Sequence, residues 1–158
     1  MRDLALRVRE LIIATDHYRQ AIAAAVGAGT HETATLVQLH LSGPLTPTAI
    51  AESLDLTTAS VTGLLDRLAG AGFVTRSPNP CDRRSILVGL TEVGALTAKA
   101  IFDLFAEDVA TALAGTTAQA ERDATTLAID RLIAVLRRRA AESDLAARFA
   151  CIRENSES

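Results

Sequence analysis

A chain of 158 residues suits one domain, and with 49% hydrophobic residues it can bury a core without disulfide or metal staples. Its net charge of −3 and pI near 5.6 count against a nucleic-acid partner, unless basic groups are concentrated locally. Cys81 and Cys151 lack metal-ligand spacing, and charges interrupt the N-terminal MRDLALRVREL where a signal peptide or membrane span would be continuously apolar, so a cytoplasmic, reduced protein off the membrane is expected.

Aromatic residues are only 3% and Ala and Leu dominate the apolar set, which favours helices. Leu4, Val8, Leu11, Ile12, Thr15 and Ile22 recur at helical spacing and predict a long amphipathic helix over 3–26. VGAGTHE breaks it. A second helix is predicted over 31–42, ended by Gly43-Pro44. Thr46 ahead of Pro47 is an N-cap with proline at the first helical position, which starts a short helix over 47–54. After the turn at Asp55-Leu56-Thr57, Thr57 caps a helix over 58–71 that stops at Gly70 and Gly72.

Residues 73–77 and 85–90 are rich in β-formers and predict a hairpin. Its loop, SPNPCDRRS, is expected to be stiff and extended because Pro78 and Pro80 fix φ. Thr91 caps a helix over 92–114, ended by Gly115. Thr116-Thr117-Ala118-Gln119 has capping-box spacing and opens a helix over 117–141, whose apolar stripe is Ile129, Leu132, Ile133 and Leu136. A short helix is expected in the tail after Ser143. The order predicts a mainly α fold: a winged helix-turn-helix with a two-stranded hairpin wing over 44–91, framed by long helices over 1–43 and 92–145, with a tail over 146–158.

The stretch from Gly43 to Gly94 resembles the MarR (multiple antibiotic resistance regulator) family of bacterial transcription factors. The resemblance rests on Asp82-x-Arg84 followed by Val88-x-Leu90-Thr91 and Gly94, with LLDRL, a following glycine, a short strand and Arg76. It implies a homodimer whose terminal helices interlock. It also implies binding to near-palindromic duplex DNA, mostly as a repressor, and in many members release by a small ligand or by oxidation. Two recognition helices would then lie about 34 Å apart, one turn of DNA.

The helix begun by Thr57 is the expected recognition helix, with Thr58, Ala59, Ser60, Thr62 and Gly63 offered to the major groove. These are small residues, so base reading through Asn, Gln or Arg is modest on this face. Arg67 lies further along and is expected at a phosphate or a guanine. Asp66 is expected to pair internally, with Arg76 or a wing arginine. The backbone amides behind Thr46 and Thr57 add phosphate donors. Arg83 and Arg84 at the wing are expected in the minor groove. Asp82 is expected to hold Arg84 through a carboxylate–guanidinium pair. Between residues 44 and 91 four arginines balance four acids, so non-specific binding is expected to be weak.

By family analogy, a small apolar or aromatic effector would sit in a cleft where His17, Tyr18, Arg19 and His40 supply polar groups and the first, second and fifth helices supply the lining. His17, His31 and His40 lack tight ligand spacing, so no metal is expected, and no cofactor. Cys81 beside two arginines admits redox sensing as an alternative, against an incidental exposed thiol. Arg137, Arg138 and Arg139 complement a helix C-terminus. No phosphate loop, nucleophile elbow or carboxylate–histidine pairing points to catalysis. The remaining rival is a winged helix used only for protein contacts.

Overall fold

Six helices and one antiparallel hairpin make up the described residues of the computed structural model: 2–82, 84–114 and 118–141, less the side chains of Arg139 and Ala141. In chain order they are α1 (Arg2–Val26), α2 (Thr30–Ser42), α3 (Pro47–Leu54), α4 (Thr58–Gly70), β1 (Val74–Pro78), β2 (Ile86–Leu90), α5 (Glu92–Ala112) and α6 (Gln119–Ala141). The expected starts of α3, α4 and α5 hold because each is fixed by a threonine. Thr46 Oγ1 accepts from the Ala49 amide and Thr57 Oγ1 from the Ser60 amide, each at 3.2 Å, and Thr91 Oγ1 accepts from the Gly94 amide at 3.0 Å. The predicted start of the last helix at Thr116-Thr117, Gly115, Arg83, Cys151 and the tail after Ser143 lie outside the described residues.

Asp55 closes α3 in the left-handed region at φ 54°, which a short polar residue tolerates. The Leu56 amide then reaches back to the Ala51 carbonyl at 2.9 Å, which turns the chain sharply into α4. Val61, Leu64, Leu65 and Leu68 form the buried face of α4 at helical spacing. They close on Leu36 and Leu39 of α2, Ile50 and Ala51 of α3, Val74, Val88 and Ala98.

The hairpin pairs Val74 with Leu90 through to Pro78 with Ile86, so each strand starts one residue later than predicted. A connection not foreseen clamps the middle of β2. Leu45, just before α3, exchanges two backbone hydrogen bonds with Val88, at 3.0 and 2.8 Å. Gly94 fixes α5 against the α4–β1 turn. A Cβ there would stand 1.9 Å from the Phe73 carbonyl oxygen, so only glycine fits this approach.

Residues 1–109 pack as one unit, and those from 110 onward form a second, described through the end of α5 and α6. Within the first, α1 leaves Leu4, Leu6, Leu11 and Ile12 more than half exposed. Within the second, Leu127, Ile129, Ile133, Val135 and Leu136 of α6 are exposed. No helix among the described residues is long and apolar enough to cross a membrane.

Candidate nucleic-acid interface

The first turns of α4 present Thr58, Ala59, Ser60 and Thr62 to solvent, with Gly63 half-buried behind them. Their hydroxyls are partly committed. Thr57 and Ser60 share a hydrogen bond at 2.8 Å, and Thr62 donates to the Thr58 carbonyl at 3.0 Å. The face is therefore smooth and ordered, suited to close approach more than to long-range reach.

The arginines divide into two kinds. Asp66 pairs with Arg76 at 2.6 Å, as the sequence suggests. Arg67, expected to be free for DNA, has its Nε on Glu32 Oε1 at 2.5 Å. Glu32 lies in the first turn of α2 and spends its other carboxylate oxygen on the Gly29 amide at 2.8 Å, a capping arrangement. Among the described residues of 44–91, Arg84 is the arginine without an ion pair.

The expected Asp82–Arg84 guanidinium pair is not formed. Asp82 Oδ1 instead accepts from the backbone amide of Arg84 at 3.0 Å, because that amide lies two residues ahead, within reach of an Asx turn. Asn79 acts alike: its Oδ1 accepts from the Cys81 amide at 3.0 Å, and its Nδ2 donates to Ser85 Oγ at 2.8 Å. The wing tip is therefore a tight turn stiffened by side chains, where proline rigidity alone predicts an extended loop. Arg84 and Cys81 are exposed on it.

Burial pushes the Glu32 carboxyl up, but the Gly29 amide and the bond and charge of Arg67 outweigh it and hold the group below its usual range. A depressed carboxyl stabilises the fold above the unfolded value of about 4.3, and that contribution is lost as pH falls through the folded value. Glu32→Gln is therefore expected to be less stable than wild type in urea at about pH 7, with the difference shrinking toward about pH 3. A constant difference across that range would contradict the assignment.

A cavity of about 360 Å³ opens within the first unit, between α1, α2 and α5, with Leu54 of α3 on its wall. Ile22, Val37, Ile101, Phe102 and Phe105 make it apolar, while Tyr18, Arg19 and Gln38 add polar groups. Of the four effector residues expected, it takes Tyr18 and Arg19. His17 is exposed outside the lining, and so is His40, which rests against Phe102 with ring centroids 6.2 Å apart. Tyr18 donates to Asp108 at 2.8 Å. Burial first, then the hydrogen bond and negative charge of Asp108, raise its phenol above the ordinary value and keep it protonated. No group of three or more His, Cys, Asp or Glu gathers among the described residues.

The sequence profile of the MarR family matches residues 31–86, which run from α2 into the wing. Mb0904 of Mycobacterium bovis, an uncharacterized HTH-type transcriptional regulator, is 37% identical over 101 residues, 64% of this chain and 70% of that one. YcgE of Bacillus subtilis, also an uncharacterized HTH-type transcriptional regulator, is 38% identical over 80 residues, 51% of this chain; the match spans about half of YcgE (52%). Among solved structures, a mutant MepR from a multidrug-resistant S. aureus clinical isolate superposes with a TM-score of 0.68 at 20% identity, over 84% of this chain and 96% of that one. A second S. aureus MepR mutant, solved bound to an oligodeoxyribonucleotide, gives 0.57 at 19% identity, over 84% and 97%. The structural likeness carries the fold, and the mycobacterial relative carries the kinship over most of its own length: the chain belongs to the MarR family.

Proposed function

We propose that this chain is a homodimeric, sequence-specific regulator of transcription that binds duplex DNA in the cytoplasm, represses from near-palindromic sites and is released by a small apolar or aromatic molecule. The observation that carries the reading is the pairing of a smooth, exposed α4 N-terminal face with an exposed, stiffened wing bearing Arg84. In this reading α4 enters a major groove and the wing the adjoining minor groove, whose negative potential draws Arg84 in. Thr46, Thr57, Thr58, Ser60, Thr62, Gly63, Arg67, Asp82, Arg83 and Arg84 form or support the contact surface. Arg67 and Asp82 act through the bonds described above.

The apolar side chains left exposed on α1 and α6 support dimerisation through the terminal helices, since unpaired apolar faces of that kind mark association sites. The cavity supports a ligand, being of a size that holds a small molecule and mainly apolar, with Tyr18 and Arg19 to orient an acidic or hydroxylated ring. Selection from a random duplex pool by the full chain tests the reading. The expected result is a near-palindromic consensus, bound by two copies, with log affinity falling against log salt at a slope of about −5 if about six phosphates are neutralised. No enrichment, or a slope near zero, defeats the proposal and favours a winged helix that contacts protein.

A further inference from the structure

Arg67 is held from behind. Its Nε is fixed on Glu32, whose side chain is only 13% exposed, while the arginine side chain remains 65% exposed. Its Nη1 lies over Gly63, where an added Cβ would come within 3.6 Å of it. Glu32 is itself immobilised, since its second oxygen is bound to the Gly29 amide. The planar guanidinium is thus oriented before any partner arrives, its inner edge on α2 and its outer part along the exposed face of α4. An arginine so fixed loses less freedom on forming a forked contact, and a fork is selective only when its plane is set.

We infer that Glu32, although on α2 and outside the contact surface, is a positioning residue that sets DNA sequence discrimination by orienting Arg67. The inference rests on the DNA-binding reading above. Glu32 also carries a negative charge toward the same face. Its removal therefore has two separable effects: general attraction to phosphates holds or rises, while discrimination falls.

The measurement is the ratio of affinities of the full chain for a labelled duplex recovered by selection and for a shuffled duplex of the same composition. In Glu32→Gln the single amide oxygen can still accept from Gly29, which preserves the start of α2, but no second acceptor remains for Arg67. The ratio is expected to fall about tenfold in Glu32→Gln, with the shuffled duplex bound no more weakly than by wild type. Glu32→Asp keeps the charge and loses the reach, so it falls as well. Arg67→Lys keeps the charge and loses the fork, and the double variant Glu32→Gln/Arg67→Lys falls no further than the larger single loss.

A wild-type ratio in Glu32→Gln with a native circular dichroism spectrum overturns the inference and leaves Glu32 a helix cap. Additive losses in the double variant, or a wild-type ratio in Glu32→Asp, overturn it too. A wild-type chain that binds neither duplex overturns the DNA reading itself, and this inference with it.

Discussion

Replacing Gly94 by alanine is expected to lower the melting temperature by about 6–12 °C, a loss of about 3 kcal/mol in a chain of this size. The added methyl would stand 1.9 Å from the Phe73 carbonyl oxygen and 2.8 Å from its carbon. Those atoms belong to the backbone at the entry to β1, so no side-chain rotation relieves the clash. α5 must lift away from the turn, and Thr91, which donates to the Gly72 and Phe73 carbonyls at 2.7 and 3.2 Å, is pulled with it. Gly70→Ala is the control. Gly70 ends α4 with open space around it, and alanine there is expected to be neutral or stabilising by up to about 1 kcal/mol. Thermal denaturation followed by circular dichroism separates the two, and equal midpoints would refute the packing assigned to Gly94.

Arg84→Ala is expected to weaken binding to a selected duplex at least about tenfold, or about 1.4 kcal/mol, while the melting temperature stays put. Stability is spared because the bond tying this residue into the wing uses its backbone amide, which alanine retains. The exposed guanidinium holds no protein carboxylate among the described residues, so its loss leaves no buried charge unpaired. Fluorescence anisotropy at fixed salt provides the affinity. Wild-type binding by the variant would remove Arg84 from the interface, and a large fall in melting temperature would assign it a structural role instead.

Much of the fold was legible because it is local. Thr46-Pro47, Thr57 and Thr91 cap amides three residues on, and Val61, Leu64, Leu65 and Leu68 advertise one helix face through their spacing. Contacts between residues far apart left no such mark. Glu32 and Arg67 are 35 positions apart, and nothing in the spacing of either helix announces their bond. Leu45 pairs with Val88 through a single residue, too short a run to show alternation. In the wing, Asp82 was close enough to Arg84 to bond either end of it, and the tightness of the turn chose the amide. For the cavity, the deciding factor was rotation about α1: neighbours in sequence differ by about 100° around a helix, so Tyr18 faces inward while His17 faces out.

The Leu45–Val88 bridge gives the hairpin a gradient of stiffness. Midway along its length β2 is gripped on both sides, by β1 and by the segment entering α3, so Val88 is in effect the middle of a three-ply ribbon. Beyond it the ribbon thins to two plies, and among the described residues the loop is braced by the side chains of Asn79, Asp82 and Ser85 and by backbone bonds between the same residues. Flexing is thereby confined to the two-ply span between the bridge and the braced turn, as in a rod clamped at one point and stiffened at its end.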